Sequence, residues 1–143
     1  MEIRLGTIPE VLKIDEKIKE FDPGHISAKL DKFNVPSLIV LIASENGIDI
    51  GYSISYDEFH DGSIHACYGG VLHEYRGKGV YSKLAEKRAQ IAKEKGYTSI
   101  KLYTRNKRRE ILTYLITRGW NIMGFIPKKD LEDNRILFEK QLV

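Results

Sequence analysis

Glycine and cationic residues alternate in the segment Arg76-Gly77-Lys78-Gly79, which precedes a predicted helix that begins at Val80. The two glycines lack a Cβ, so the backbone can adopt positive φ and a ligand can approach closely. The unpaired N–H groups and the positive dipole end of a helix N-terminus favour an anion. The arginine adds a rigid guanidinium fork and the lysine a mobile point charge. These residue types at this spacing predict a binding site for a diphosphate.

Two well-known diphosphate loops do not match this segment. The Rossmann fingerprint G-x-G-x-x-G would need a third glycine where the chain has Ser82. The P-loop needs Gly-Lys-Ser/Thr after a longer loop, whereas Gly79 is followed by Val80. The sequence therefore indicates a diphosphate loop of another type.

The loop joins a predicted strand to a predicted helix. The strand covers residues 63–72, and Gly69-Gly70 within it indicates a bulge or a close backbone approach. The helix covers residues 80–95 and is closed by Gly96. Periodicity and turn signals place the remaining elements as follows: a strand at residues 3–5, a helix from Thr7 to Phe21, a helix from Ser27 to Phe33, strands at 37–43, 48–56 and 98–105, a helix from Asn106 to Arg118, and strands at 121–126 and 135–142. This order predicts an α+β fold with a mixed sheet.

The composition is that of a single domain. The 143 residues are 42% hydrophobic, which is enough apolar side chain for one packed core. No apolar run approaches the roughly 18 residues of a membrane span, and the N-terminal residues lack a signal-peptide pattern. Cys67 is the only cysteine, so no internal disulfide can form and a reducing cytoplasm is favoured. We expect no metal, because no His or Cys cluster has metal-site spacing.

Positive charge is concentrated around the glycine loop. The chain has a formal net charge of +3, but residues 75–109 contain twelve basic and only two acidic residues. Solvated helix faces explain several of these lysines, whereas the excess as a whole predicts a field that attracts a polyanion. Nucleic acid fits that field as well as a diphosphate does, so charge alone leaves both open.

The spacing Arg76-x-x-Gly79-x-Tyr81 resembles the acyl-CoA loop of the GNAT superfamily of N-acetyltransferases, written (Gln/Arg)-x-x-Gly-x-(Gly/Ala). Residues 69–77, 104–109, 119–124 and 135–140 are also similar to segments of a group of small GNAT proteins. The resemblance covers nearly the whole chain, and residues 1–143 are expected to form one GNAT domain. It implies an α+β fold with a mixed, mostly antiparallel seven-stranded sheet and about four helices.

The resemblance implies that acetyl-CoA is the co-substrate. The loop would anchor its diphosphate, and its pantetheine arm would pair with the main chain of Val71 and Leu72, where their strand splays from its neighbour. Asn106 would contact the arm, although an ordinary helix N-cap is an equally good interpretation of this residue. The implied CoA-binding residues are Val71, Leu72, Arg76, Gly77, Lys78, Gly79, Val80, Tyr81, Asn106 and Arg109.

The resemblance also implies direct attack of an amine on the thioester in a ternary complex, with a strand N–H near Gly70 or Val71 stabilising the thioester oxygen. Proton transfer then needs a base and an acid. Tyr114 is the candidate acid, one position from the usual family place, which is occupied by Leu115. The candidate bases lie near the hairpin that would flank the acceptor, and we select Glu58 and His65 from the set Tyr56, Asp57, Glu58, His60 and His65.

Three functions follow from these observations. The first is an acetyl-CoA-dependent N-acetyltransferase that acts on a small-molecule or protein amine. The second is a GNAT-fold module that holds acyl-CoA without turnover. The third, a basic nucleic-acid-binding domain, ranks last because the loop lacks stacking platforms. Dimerisation is common in the fold, so a homodimer is a further expectation.

Overall fold

A computed structural model describes residues 1–142, which form a seven-stranded sheet and four α-helices. The elements in chain order are β1 (Glu2–Leu5), α1 (Ile8–Asp15), α2 (Leu30–Phe33), β2 (Ile39–Glu45), β3 (Ile48–Tyr56), β4 (Ser63–Val71), α3 (Val80–Glu94), β5 (Ser99–Arg105), α4 (Arg109–Thr117), β6 (Asn121–Ile126) and β7 (Arg135–Gln141). Single 3₁₀ turns lie at Ser27–Lys29, His73–Tyr75 and Leu131–Asp133. The predicted α+β class is confirmed.

The strands follow the order β1-β2-β3-β4-β5-β7-β6 across the sheet. Every neighbouring pair is antiparallel except β4 and β5, which are parallel. This arrangement confirms the predicted mixed, mostly antiparallel sheet. Within residues 1–142, no helix combines the length and the apolar character needed to cross a bilayer.

Strand β3 is covered on both faces. On one face, Gly51 lies against Val80 and Leu84 of α3, so closely that a Cβ at this glycine would be 3.2 Å from Val80 Cγ1. On the other face, the hydroxyl of Tyr52 donates to Asp15 of α1 at 2.6 Å. All residues of β3 from Ile50 to Tyr56 are consequently buried, including Ser53 and Ser55.

Helix α1 begins as the sequence predicts and ends earlier. Thr7 and Glu10 form a reciprocal capping box at its start. The helix ends at Asp15, however, and the prediction that it extends to Phe21 is wrong. Beyond this end, Ile18 and Phe21 pack over Gly70 of β4.

Two further predictions are corrected by the sheet. The bulge in β4 is at Cys67, because Ile54 pairs with Tyr68 while Ser55 pairs with Ala66. Gly70 instead provides the close approach that was the alternative interpretation of Gly69-Gly70. Asn106 does not cap α4, which begins at Arg109.

Gly70 and Gly69 offer a matched pair of substitutions. A Cβ at Gly70 would lie 2.7 Å from Ile18 Cδ1 and 2.9 Å from Phe21 Cε2, whereas a Cβ at Gly69 would meet only Tyr52 O, at 3.5 Å. We expect Gly70→Ala to lower the free energy of unfolding by about 1–3 kcal/mol relative to Gly69→Ala, because of overpacking. Urea denaturation of both variants measures the difference. Equal stabilities would show that residues 16–26 do not pack on Gly70 in this way.

Candidate functional site

A cleft opens between β4 and β5. The two strands pair only from Ser63–Ser99 to His65–Lys101, whereas β5 stays paired with β7 along its whole length, as far as Arg105. Gly69, beyond the last β4–β5 pair, is exposed although it lies in a central strand. The bulge at Cys67 lies between His65 and Gly69, and a bulge bends and twists the strand that carries it. The bulge therefore accounts for the divergence of β4 from β5.

Unpaired main-chain groups of β4 line this cleft. Leu72 N donates to Ile50 O at 2.9 Å, so Leu72 and Ile50 are a hydrogen-bonded pair of the antiparallel β3–β4 ladder. Such pairs alternate along a ladder, so the amide of Gly70 points towards β3 and the amides of Gly69 and Val71 point into the cleft. Leu72 has neither main-chain group free, because its carbonyl accepts from Tyr75 N at 2.9 Å. Of the two residues predicted to pair with a pantetheine arm, only Val71 faces the cleft.

The glycine loop forms an open cradle beside the cleft. Gly77 has φ +74° and Gly79 has φ +82°, and no protein atom lies within 4 Å of a Cβ built at either residue. Helix α3 starts at Val80 without a side-chain cap, so the amides of its first turn have no intrahelical partner. The ammonium of Lys78 is exposed and lies 5.5 Å from the ring centroid of Tyr75. The cradle combines backbone donors, a helix dipole and a cation, which is the chemistry that binds a phosphate group.

Arg76 is directed away from the cradle. Its Nε donates to the carbonyl of Val71 at 3.0 Å, and its Nη2 forms an ion pair with Glu20 in the segment after α1. The side chain thereby ties the end of β4 to residues 16–26. Its predicted role as a diphosphate ligand would require this ion pair to open.

Tyr114 lies against the first turn of α3. Its hydroxyl is 3.2 Å from Ser82 Oγ, and its ring meets that of Tyr81 edge to face at a centroid distance of 4.9 Å. The guanidinium of Arg118 stacks 3.9 Å from the ring centroid of Tyr114. Leu115, the neighbouring position, is fully buried. Tyr114, rather than Leu115, therefore presents a polar group near the cradle.

Asn106 does not cap a helix, and the phosphate contact predicted for Arg109 stays a prediction. Asn106 donates from Nδ2 to Leu131 O at 3.2 Å, and its main-chain N donates to Asn134 O at 2.8 Å. It therefore fastens the end of β5 to the β6–β7 connection. Arg109 is exposed at the first position of α4.

The side chains of Glu58 and His65 are brought together at the closed end of the cleft. The Glu58 carboxylate contacts Nδ1 of His65, and the edge of the His65 ring meets Tyr103 of β5 at a centroid distance of 5.8 Å. Burial lowers the pKa of His65, Glu58 opposes this change, and Lys32 and Lys29 add to it. Burial and the Glu58 carboxylate raise the pKa of Tyr56. Because its pKa is low, His65 is neutral at pH 7 and able to accept a proton.

The thiol of Cys67 is held in the bulge. Its Sγ donates to Ile54 O at 3.3 Å, and burial raises its pKa to about 12. A thiolate, not a thiol, is the nucleophilic form of cysteine. The environment of Cys67 is therefore that of a core side chain and does not favour a nucleophilic role.

A buried polar network behind the cleft was missed from the sequence. Asp15 accepts hydrogen bonds from Tyr52 at 2.6 Å and is 2.9 Å from His25 Nε2, while the His25 ring lies 5.1 Å from that of Tyr68 on β4. Burial and the Asp15 carboxylate raise the pKa of Tyr52. The three polar residues lie on different elements and share no sequence spacing. The sequence offered one indication of this network, which is the hydroxyl group that Tyr52 brings into a largely apolar strand.

Charged residues surround a separate cavity of about 620 Å³ at the open end of β5. It lies between the segment after α1 and the β6–β7 connection. Its lining residues are Asp22, Arg105, Lys128, Lys129, Asp130, Asp133 and Arg135. Among residues 1–142, no group of three or more His, Cys, Asp or Glu side chains is arranged to hold a metal ion.

Comparison with known proteins agrees with this architecture. The sequence profile described as "Acetyltransferase (GNAT) family" matches residues 9–114. The chain therefore belongs to the GNAT family of acetyltransferases, as the glycine loop and its flanking segments indicated. Membership makes it an acyl-CoA-dependent N-acetyltransferase at the level of the family. None of the curated proteins matches the sequence.

Solved structures share the fold at low sequence identity. The ribosomal-protein-S18-alanine N-acetyltransferase of Escherichia coli has a TM-score of 0.81 and 14% identity, over 99% of this chain and 93% of its own. A putative GNAT-family acetyltransferase of Desulfovibrio desulfuricans has a TM-score of 0.83 and 13% identity, over 99% of both chains. An aminoglycoside 6′-N-acetyltransferase solved with coenzyme A has a TM-score of 0.78 and 13% identity, over 100% of this chain and 98% of its own. At such identities these likenesses concern the fold alone.

The raised pKa of Cys67 leads to a chemical prediction. A thiol whose pKa rises from 9.0 to about 12 carries about a thousandfold less thiolate at neutral pH. We therefore expect iodoacetamide to alkylate Cys67 in the folded protein about a thousandfold more slowly than in urea. Mass spectrometry of timed samples provides the rate. Comparable rates in both conditions would show that the thiol is not held in the bulge.

The lowered pKa of His65 predicts a pH dependence of stability. The unfolded chain binds a proton at this residue near pH 6.5, whereas the folded chain does so only at lower pH. The folded state should therefore lose stability as the pH falls through 6.5, and His65→Gln should weaken this loss. His60→Gln is the matched control, because the side chain of His60 is 81% exposed. Urea titrations at several pH values test this, and the same slope in all three proteins would contradict it.

Proposed function

We propose that the protein transfers an acetyl group from acetyl-CoA to a primary amine by direct attack in a ternary complex. The observation that carries the proposal is the continuity of the cleft and the cradle. The free amides of β4 lead from the closed end of the cleft, at His65, towards the loop with its uncapped helix. A ligand with an amide-rich arm and a diphosphate matches this sequence of groups. Acetyl-CoA has both parts.

The cradle is the proposed anchor of the diphosphate. Gly77, Gly79 and the amides of Val80 and Tyr81 would supply backbone hydrogen bonds, and Lys78 would supply charge. We infer that Arg76 contributes by tying residues 16–26 to β4, and that its contact with the ligand is secondary. Arg109 is exposed in this region, and Asn106 would contribute through the β6–β7 connection that it holds.

The main chain of β4 is the proposed guide for the thioester. The amides of Gly69 and Val71 point into the cleft beside the bulge, and either one would stabilise the oxyanion that develops on the thioester oxygen. Pairing along the strand would also hold the thioester near the amine, and such positioning contributes several kcal/mol to rate. Leu72 would act through its side chain, which is buried.

The reaction needs a base for the amine and an acid for the leaving sulfur. Glu58 and neutral His65 lie together at the closed end and are the proposed base for the incoming ammonium. Tyr114, beside Ser82, is the proposed donor of a proton to the leaving thiolate. The nitrogen loses two protons, one to the base before attack and one as the amide forms. Sulfur takes up one proton, so the products are an N-acetyl amide, the CoA thiol and one proton released to solvent.

The acceptor is proposed to be a primary amine on a small molecule or a protein. The relatives named above act on a ribosomal-protein alanine and on an aminoglycoside, so amines of both kinds occur among proteins of this fold. Binding of acyl-CoA without turnover is the alternative. We propose a cytoplasmic reaction, since acetyl-CoA is available there and the single cysteine would remain reduced.

A homodimer is proposed from the edge strand β6. Ile122, Met123 and Phe125 are 63%, 54% and 59% exposed, and the strand from Asn121 to Ile126 contains no charged residue. Exposed apolar edge strands promote pairing between chains. A second copy of the same strand would meet no like charge in this position.

Substitution of Gly79 tests the function. Gly79→Val should weaken acetyl-CoA binding by about tenfold or more, because the new side chain fills the cradle and distorts its amides. Gly96→Val is the control, since Gly96 has φ +90° and open space around it at the other end of α3. Calorimetric titration measures the affinity, and thiol release with a panel of amines measures turnover. Unchanged binding by Gly79→Val would refute the cradle, and binding by the parent without release from any amine would favour the non-catalytic alternative.

A further inference from the structure

Lys29 lies beside the part of β4 that borders the cleft. It ends the 3₁₀ turn Ser27–Lys29, and its Nζ is 5.5 Å from the ring centroid of Tyr68 on β4. Tyr68 follows the bulge directly and precedes the exposed Gly69. The ammonium therefore sits over the part of β4 that leads to the free amides of the cleft.

The ammonium of Lys29 is not held by a polar partner within residues 1–142. It forms neither a hydrogen bond nor an ion pair with any residue between 1 and 142, and the residue is exposed. A cation on an aromatic face is held only weakly at an exposed site, so the ammonium is positioned but can leave the ring. A primary amine is thus present at the site but is free to move by a rotamer change.

The charge of Lys29 also acts on two groups of the cleft. Burial lowers the pKa of His65 and raises the pKa of Cys67, and the charge of Lys29 adds to the first change and opposes the second. Tyr68, under the Lys29 ammonium, directly follows the bulge at Cys67 and precedes Gly69, whose amide faces the cleft, so Lys29 lies beside this part of β4. The Glu58–His65 pair, the proposed base, lies in the same region.

We propose that Lys29 is an intramolecular acceptor and that the protein acetylates it from bound acetyl-CoA. The inference rests on the proposed function and names a lysine-like alkyl amine as an acceptor of that same site. Glu58 with His65 takes a proton from the Lys29 ammonium, and the free Nζ attacks the thioester carbonyl carbon. The nitrogen then loses its second proton, the C–S bond breaks and the sulfur takes up one proton, so that CoA leaves as the thiol and Lys29 becomes Nε-acetyllysine. The proton taken by the base is released to solvent.

Lys32 provides a matched control. It lies on α2, one turn after Lys29, and its charge also lowers the pKa of His65. Unlike Lys29, it has no contact with the ring of Tyr68. Any slow, uncatalysed acetylation of surface lysines should affect the two residues alike, whereas a reaction directed by the cleft should select Lys29.

The test is incubation of the parent protein, Lys29→Arg and Lys32→Arg with acetyl-CoA, followed by intact-mass and peptide mass spectrometry. We expect one acetyl group at Lys29, added at least about tenfold faster than at Lys32, because an oriented intramolecular amine has a high effective concentration. The first-order rate constant should not depend on protein concentration. Lys29→Arg should abolish this modification, Lys32→Arg should retain it, and Gly79→Val should slow it.

Calorimetry with acetyl-CoA separates the two ways in which the test can fail. If the parent binds acetyl-CoA but acetylates Lys29 no faster than Lys32, the inference is wrong and the proposed function stands. A rate that rises with protein concentration would indicate transfer between molecules and would also overturn it. If the parent does not bind acetyl-CoA, both proposals fail together.

Discussion

The loss of pairing between β4 and β5 beyond His65 is the constraint on which the rest of the structure depends. Strands in the middle of a sheet normally satisfy their main-chain groups on both sides, and buried groups left unpaired are costly. Here the amides of Gly69 and Val71 face an open cleft instead of a neighbouring strand. The gap between the strands is therefore lined by unpaired backbone groups, and the bulge at Cys67 accounts for its geometry.

Several side-chain contacts hold the segment after α1 against this cleft. Arg76 bonds to Val71 and to Glu20, Ile18 and Phe21 pack on Gly70, and Asp15 joins Tyr52 to His25. All three contacts connect residues 15–26 to β3 or β4. The same segment leads into the turn that carries Lys29. The wall of the cleft and the amine beside it are thus positioned by one set of interactions.

The boundaries of the elements are predicted correctly where a strong local signal in the sequence marks them. The predicted starts of α1, after Thr7, and of α3, after the glycine loop, are both confirmed. The predicted end of α1 and the predicted start of α4 are wrong. In the structure Phe21 packs on Gly70 and Asn106 bonds to Leu131, and neither of these tertiary contacts can be read from the local sequence. The roles of the candidate site residues stay predictions, although the structure brings Glu58 to His65 and Tyr114 to Ser82.

The amino-acid sequence by itself determined the element order, the family and the position of the anion cradle, because each depends on residues adjacent in the chain. Glycines with positive φ, a helix start and nearby cations need no tertiary information to be recognised. Only the tertiary structure decided which β4 amides are free, that Arg76 faces Glu20, and that Asp15, His25 and Tyr52 meet. Those facts depend on strand register and on packing between elements distant in the chain. A shift of one residue in register would reverse which groups face the cleft.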